Sequence, residues 1–211
     1  MNQPASEYPN LICLGRNRRL VLGSGSPRRV RLLKELGLNF RQDIPAIDET
    51  FRPGEDPLSF AVRLAEDKAR AVAARAERDE IVIGGDTVVV LDGTILDKPT
   101  SPENAVTTLQ TLSGREHIVG TALAISIGNG KVWWGLERTA VRFNKVTTEQ
   151  IQNYVASGEP MDKAGAYGIQ GMGAFLVDTL RGNLDNVIGL PRSLLDRLAG
   201  DVLHWLNIDC D

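Results

Sequence analysis

The stretch GSGSPRR, Gly23–Arg29, carries residue types that suit the binding of a negatively charged ligand. It lies where a predicted strand leads into a predicted helix, so its backbone N–H groups lie beside the positive end of the helix dipole, and both favour phosphate. Ser24 lies in this loop, and Arg28 and Arg29 add forked guanidinium donors that match phosphate oxygens. A helix N-cap followed by two solvated arginines explains the same residues equally well, and a DNA minor-groove arm is a weaker third interpretation. The stretch is not a P-loop, because the Gly-Lys-Ser/Thr ending is missing.

The stretch VIGGDTVVV places a carboxylate, Asp86, between two β-rich runs. Aspartate is unfavourable inside a strand, and the preceding Gly84 and Gly85 would let a ligand approach the backbone closely. A carboxylate in this position suits the binding of a divalent metal ion or the orientation of a water molecule. The alternative is a β-bulge in which Asp86 caps a backbone turn. We favour the functional interpretation, because apolar residues crowd both sides of Asp86.

Three weaker candidates carry charge elsewhere in the chain. Lys68 falls at the edge of the apolar face of a predicted helix, where a lysine more often extends into solvent than into a site. Lys98 follows a predicted hairpin in the stretch LDKP. The acidic pair Asp48 and Glu49 could share a metal ion with Asp86, although acidic pairs in loops are usually only solvated.

The stretch AGAYGIQG, residues 164–171, predicts a loop with unusual backbone freedom. Its glycines would permit close approach to a flat ligand, and the amide of Gln170 can both donate and accept hydrogen bonds to a base edge. A mobile surface loop explains the stretch equally well.

The elements that must position these residues follow from caps and periodicity. Strands and helices mix without strict alternation, which predicts an α/β fold with a mixed sheet. An Asp92-Gly93 turn predicts a hairpin, and two long strands are expected to pair around Gly128-Asn129-Gly130. A strand is predicted over Arg19–Ser24, and two strand segments are predicted to join across Gly84-Gly85. Helices are predicted to begin after the caps Ser26, Asp56, Ser101 and Thr147. A last helix is expected near Pro191 to Leu198. The buried stripe of the helix capped by Asp56 is predicted to be Leu58, Val62, Ala65, Ala69 and Val72.

Bulk properties exclude several classes of protein. The 211 residues carry a formal net charge of -3, which argues against general nucleic-acid binding. No apolar run approaches the ~20 residues of a membrane helix, and the first residues do not follow the pattern of a secretory signal. We expect residues 1–17 to be a loosely held extension before a single domain over residues 18–208. Cys13 and Cys210 are expected to be free thiols in a reducing cytoplasm rather than a disulfide. No G-x-S-x-G stretch supports a hydrolytic triad.

Taken together, the ordered stretches of this chain resemble the Maf family of nucleoside triphosphate pyrophosphatases. The resemblance runs from about Leu20 to Leu198 and excludes the N-terminal extension. It implies an α/β fold like that of inosine triphosphate pyrophosphatases, with an elongated mixed β-sheet flanked by helices and two lobes around a central cleft. The stretches that carry it are GSGSPRR, DET, VRLAEDKA, GGDTVVV, DKP, LSGREH, DKAGAYGIQG and VIGLP.

The resemblance also implies an activity and roles for particular residues. Members of the family hydrolyse a nucleoside triphosphate to the monophosphate and pyrophosphate with a divalent cation, Mg or Mn. Asp86 would be the general base, and Glu49 would join Asp86 in binding the metal. The phosphates would be held by Ser24, Arg29, Lys68 and Lys98.

Three positions resemble the branch of the family that acts on dTTP and UTP. This chain has Arg28, Thr87 and Gln170 where the 7-methyl-GTP branch has Trp, Gln and Glu. A neutral amide suits a pyrimidine edge, whereas a glutamate would suit a cationic methylated guanine. Two departures from the family pattern are Gly23, where Ala is common, and Asp97 before the motif lysine, which would weaken the positive field of that lysine.

The expected protein is therefore a cytoplasmic homodimer that removes dTTP, UTP or modified pyrimidine triphosphates, with neither nucleic acid nor membrane as partner. One alternative is a pyrophosphatase of different base preference, such as 7-methyl-GTP. The other is a nucleotide-binding regulator of cell division without turnover, which would bind the nucleotide and release no pyrophosphate.

Overall fold

The structure of the protein is a computed structural model that describes residues 7–128 and 130–210. Residues 1–6 of the predicted extension and Asn129 of the predicted turn lie outside the described residues. The described helices are α1 Pro9–Asn17, α2 Pro27–Glu35, α3 Pro57–Ala73, α4 Pro102–Leu112, α5 Thr148–Ala156, α6 Leu184–Ile188 and α7 Arg192–Leu206. The described strands are β1 Arg19–Gly23, β2 Phe40–Gln42, β3 Glu80–Leu91, β4 Thr94–Ile95, β5 Glu116–Ile127, β6 Val132–Phe143 and β7 Val177–Arg181.

The strands form a mixed sheet, which confirms the predicted fold class. Their order is β2-β1-β3-β5-β6-β7, and β4 pairs with β3. Strand β1 runs parallel to β2 and β3, whereas β4 is antiparallel to β3 and β7 is antiparallel to β6. The prediction of two strand segments across Gly84-Gly85 is wrong, because β3 continues through both glycines. The predicted hairpin turn is confirmed, with positive φ at Asp92 and Gly93.

The chain divides into two compact units. The first unit comprises Met1–Asp86, Ala122–Glu137 and Gly189–Asp211, and the second comprises Thr87–Thr121 and Arg138–Ile188. The boundary within β3 therefore falls between Asp86 and Thr87. The assignment of residues 18–208 to a single domain stays a prediction.

In the first unit, the buried face of helix α3 confirms Ala65, Ala69 and Val72 of the predicted stripe but not the rest of it. The cap is as predicted, since Oδ2 of Asp56 accepts hydrogen bonds from the backbone N–H groups of Leu58 and Ser59. However, the buried face includes Phe60, Leu64 and Lys68, while Leu58 is only half-buried. These three residues repeat at i, i+4 and i+8, so Lys68 lies within the buried stripe rather than at its edge.

The second unit has its own apolar core between α4, α5 and the strands. Ser101 caps α4, and Thr147 and Gln150 form the predicted capping box of α5. Leu109 and Leu112 of α4 are fully buried. The core also contains Val89, Leu91, Val119, Val141, Phe143, Ile151, Tyr154, Tyr167 and Leu176.

The expectation of a loosely held extension is wrong for the described part of that segment. Residues Pro9–Asn17 form α1, with proline in the first turn, and Leu11 and Leu14 are fully buried. The prediction of free thiols is also wrong, since Cys13 and Cys210 form a disulfide. None of the helices in the described residues has the length and apolar character needed to cross a membrane.

Candidate active site

The first unit brings Lys68 between two carboxylates. Its Nζ atom lies 2.7 Å from Oδ1 of Asp86 and 3.0 Å from Oε1 of Glu49. Lys68 and Asp86 expose only 11% and 14% of their side chains, whereas Glu49 exposes 55%. The sequence favoured a solvated Lys68, and the structure overturns that expectation. The arrangement combines a fixed positive charge with two carboxylates that can accept protons or bind a cation.

Gly84 explains how Lys68 comes so close to Asp86. A Cβ atom at Gly84 would lie 2.4 Å from the backbone oxygen of Ala65 and 2.8 Å from the backbone nitrogen of Ala69. Any side chain here would therefore push α3 away from β3 and move Lys68 with it. The interpretation of this glycine as a point of close ligand approach is wrong, because its open side is filled by helix α3.

The buried side chain of Arg29 supports the GSGSPRR loop. Only 7% of the surface of Arg29 is exposed. Its Nη1 donates to Oγ of Ser24 at 2.9 Å and to the oxygen of Gly85 at 2.8 Å, and its Nε donates to the oxygen of Gly189 at 2.9 Å. Burial lowers the pKa of Arg29, and the negative charge of Asp86 opposes that shift. The alternative of two solvated arginines is therefore wrong for Arg29.

Two further contacts complete this loop. Oγ of Ser26 accepts from the backbone nitrogen of Arg29, which confirms the predicted N-cap of α2. Nε2 of Gln42 donates to the backbone oxygen of Ser24 at 2.7 Å. No sequence pattern points to Gln42, because its role depends on the parallel pairing of β1 with β2. Arg28, half-buried, follows the same loop.

In the second unit, a buried asparagine anchors the threonine that follows Asp86. The hydroxyls of Thr87 and Thr121 lie 2.9 Å apart. Thr121 donates from its hydroxyl to the backbone oxygen of Asn186 and from its backbone nitrogen to Oδ1 of Asn186. Asn186 is fully buried and was missed by sequence reasoning, although it directly precedes the quoted stretch VIGLP.

The second unit also joins the segments that carry Lys98 and Gln170. Both side chains are exposed. The backbone nitrogen of Gly165 donates to the oxygens of Leu96 and Asp97, at 2.8 and 3.2 Å. Gly165 has a φ of 68°, and a Cβ atom there would lie 2.9 Å from Cγ1 of Val89. Both the backbone conformation and the lack of space therefore require glycine at this position.

The predicted site residues thus fall into two groups, one in each unit. Over residues 7–128 and 130–210, no cluster of three or more His, Cys, Asp or Glu side chains could hold a metal ion. Of the acidic residues that the sequence singled out, Glu49 and Asp86 share a contact to Lys68. The first unit contains Ser24, Arg28, Arg29, Glu49, Lys68 and Asp86, and the second contains Thr87, Lys98 and Gln170.

Comparison with known proteins agrees with this arrangement of motifs. Residues 19–201 match the model of the family described as Maf-like protein. A dTTP/UTP pyrophosphatase of Escherichia coli O157:H7 is 46% identical over 172 residues, which are 82% of this chain and 87% of that protein. A dTTP/UTP pyrophosphatase of Photorhabdus laumondii subsp. laumondii is 47% identical over 172 residues, 82% of this chain and 88% of that protein.

A solved structure shares the fold at low sequence identity. The Ham1 protein of Staphylococcus aureus superimposes on this chain with a TM-score of 0.53 and 14% sequence identity. The superposition covers 89% of this chain and 100% of that protein. This likeness concerns the fold alone. Since the family model and the relatives each cover more than four fifths of the sequence, the chain belongs to the Maf family.

Proposed function

We propose that this protein is a nucleoside triphosphate pyrophosphatase that hydrolyses dTTP and UTP to the monophosphate and pyrophosphate. The observation that carries this proposal is the cluster in which Lys68 contacts both Asp86 and Glu49. The names of the relatives that match most of the chain support the choice of substrate. The reaction needs charge neutralisation and an in-line water more than it needs a covalent nucleophile.

Asp86 is the proposed general base. Its carboxylate takes a proton from a water molecule, whose oxygen forms a bond to the α-phosphorus while the bond from that phosphorus to the bridging oxygen of the β-phosphate breaks. Pyrophosphate leaves with the electron pair of that bond. Lys68 holds the Asp86 carboxylate in place and offsets part of the negative charge of the carboxylate pair, so that an anionic triphosphate can approach it.

Glu49 and Asp86 are the proposed ligands of a divalent cation, Mg or Mn. Both supply carboxylate oxygens, and magnesium usually takes one or two carboxylates together with substrate phosphates, so the pair fits such an ion. The ion would supply charge neutralisation at the phosphoryl oxygens. Lys68 already contacts both carboxylates and would share them with the ion.

The remaining residues are proposed to hold the substrate. Ser24, Arg28, Arg29, Lys68 and Lys98 are assigned to the phosphates. Arg29 would act by its charge and by fixing Oγ of Ser24, since its Nε and Nη1 donate to protein oxygens. Thr87 and Gln170 are assigned to the base, because an amide can donate to a carbonyl oxygen of uracil or thymine and accept from its ring N–H.

We further propose that the enzyme works in the cytoplasm as a homodimer, with no nucleic acid or membrane as partner. The cytoplasmic assignment follows from the substrate, since nucleoside triphosphates are its proposed target. The Cys13–Cys210 disulfide is the one observation that argues against a strongly reducing compartment.

The test is pyrophosphate release from dTTP, UTP, dCTP, GTP and 7-methyl-GTP with Mg or Mn. Asp86→Asn should lower turnover by about 10²–10⁴-fold, because the general base is lost while the side-chain shape is kept. Glu66→Gln, a half-buried carboxylate on α3 that pairs with Arg70, is the matched control and should keep full turnover. Full turnover of Asp86→Asn with normal metal dependence would refute the role of Asp86. Tight binding of dTTP by the wild type without pyrophosphate release would favour the regulator.

The base assignment has its own test in Gln170→Glu. A carboxylate cannot donate to a pyrimidine carbonyl, so the kcat/KM for dTTP and UTP should fall relative to that for 7-methyl-GTP. Unchanged relative rates for these substrates would remove Gln170 from base recognition.

A further inference from the structure

The carboxylate of Glu159 lies at the centre of a hydrogen-bonded frame that no motif of the sequence singled out. Its Oε2 accepts from the backbone nitrogen of Met172 at 3.0 Å. Its Oε1 accepts from the backbone nitrogen of Gly173 at 3.2 Å and from the hydroxyl of Tyr154 at 3.0 Å. The same hydroxyl accepts from the backbone nitrogen of Gly168 at 3.0 Å. The bonds therefore bracket residue 170 from both sides along the chain.

The glycines of this loop surround the Glu159 carboxylate. A Cβ atom at Gly168 would lie 3.1 Å from Oε1, and one at Gly171 would lie 3.0 Å from Oε2. At Gly173 a Cβ atom would lie 2.6 Å from the hydroxyl of Tyr154 and 2.3 Å from the oxygen of Gly168. Successive backbone N–H groups around an anion form a nest, and here the anion is a side chain of the protein itself. The glycine-rich sequence is thus explained by an internal carboxylate, whereas the sequence had suggested close approach to a flat ligand.

The frame rests on buried groups. Tyr154 is 2% exposed, and burial raises its pKa, so its hydroxyl stays a neutral donor to Glu159. On the other side of the loop, Tyr167 is buried and its hydroxyl lies 2.8 Å from Nε2 of His117. Gln170 itself is exposed, and the backbone is fixed on both sides of it.

We propose that Glu159 is a positioning residue that sets base selectivity by fixing the backbone around Gln170. The inference rests on the proposed function and deepens it. An amide discriminates between bases only when its carbonyl and NH₂ groups are held in one orientation, and rigid support of the loop supplies that preorganisation. Glu159 touches no reacting atom, and its influence on the substrate passes through Gln170.

The test compares kcat/KM for dTTP and dCTP in the wild type and in Glu159→Gln. Glutamine keeps one acceptor oxygen but cannot accept at both positions, so the loop should loosen and the preference for dTTP should fall by about 10-fold. Glu149→Gln is the matched control, since Glu149 is exposed in the first turn of α5, and its preference should be unchanged. A merely structural role would lower the active fraction and reduce both substrates equally, leaving the ratio intact.

A second measurement asks whether the effect passes through Gln170. In a Gln170→Ala background, Glu159→Gln should produce no further change in the dTTP to dCTP ratio, because the amide to be positioned is gone. An unchanged ratio in Glu159→Gln, or an equal drop in both backgrounds, would overturn the inference while leaving the proposed function intact. Absence of pyrophosphate release by the wild type would instead overturn the proposed function.

Discussion

The two units hold their candidate residues by different means. In the first unit, the charged side chains are themselves held by direct contacts: Lys68 contacts two carboxylates, and the buried Arg29 donates to three uncharged protein oxygens. In the second unit, Lys98 and Gln170 are exposed, and it is the backbone beneath them that is fixed. The difference matches the proposed roles of Arg29 and Gln170, since phosphates require strong fixed charge and a base edge requires an oriented neutral amide, while Lys98 is the residue of the second unit that is assigned to the phosphates.

Among the variants that test this difference between the units, Lys68→Met is expected to have the largest effect on turnover. Methionine keeps an unbranched apolar chain but removes the charge, leaving Asp86 and Glu49 without their shared cation. Turnover of dTTP should fall by about 10²–10³-fold, as it does when one charge-stabilising donor is removed from an active site. The measurement is pyrophosphate release at saturating metal ion.

The control for this variant is Lys34→Met. Lys34 is an exposed lysine of α2 in the same unit, and its loss should leave turnover unchanged. A Lys68→Met enzyme that retained wild-type turnover would show that the charge balance of the first unit is structural only.

A second prediction concerns acid stability and is specific to the second unit. His117 is 2% exposed, and burial lowers its pKa to about 4 from an ordinary value of 6.5. Between these two values the unfolded chain binds a proton that the folded chain does not, so the free energy of unfolding falls as pH drops from 6.5 to 4. Full protonation of the unfolded chain across this range would cost the folded protein about 3 kcal/mol of stability.

Urea unfolding at pH 7, 5.5 and 4.5 measures this loss. His117→Gln does not titrate and offers a polar group near the hydroxyl of Tyr167, so its stability should depend less on pH than that of the wild type. His204→Gln alters the exposed histidine of α7 and serves as the control that should follow the wild type. Parallel pH curves for all three proteins would contradict the assignment.

The features that the sequence predicted best are the helix caps and the tight turn, which depend on residues close together along the chain. The caps at Ser26, Asp56, Ser101 and Thr147 and the Asp92-Gly93 turn depend on neighbouring residues only, and all are confirmed. The family resemblance placed the motifs in order, and the comparisons confirm the family. Of the site itself, the sequence predicted the residues Lys68, Glu49 and Asp86. It did not predict that Lys68 contacts both carboxylates.

What the sequence missed depends on contacts between distant segments. Gly84 was assigned to ligand approach because the packing of α3 against β3 is not visible in a local pattern. Asn186 and Glu159 were not singled out, since their partners lie on other segments of the second unit. The Cys13–Cys210 disulfide joins residues 197 apart, and only the packing of α1 against α7 brings them together.

The last prediction concerns that disulfide and tests whether covalent support is confined to the first unit. A native disulfide typically contributes ~2–4 kcal/mol, and more for longer loops, so a bond between residues 197 apart should contribute about 4 kcal/mol that the double variant Cys13→Ser and Cys210→Ser loses. Other contacts hold α1 in the folded protein even without the bond. Oδ1 and Oδ2 of Asp196 accept from the backbone nitrogen of Leu11 and from Nδ2 of Asn10, and Leu11 remains fully buried.

Urea unfolding with and without dithiothreitol measures this contribution, and the double variant is the matched control because it should not respond to the reductant. Cys210 is exposed, so the reductant can reach the bond in the wild type. Hydrogen exchange should accelerate in α1 and the end of α7 while α4 and α5 of the second unit keep their protection, because the bond lies wholly in the first unit. Equal loss of protection in α4 and α5 would mean that the disulfide supports both units. The bond could then not be counted among the differences between the first and the second unit.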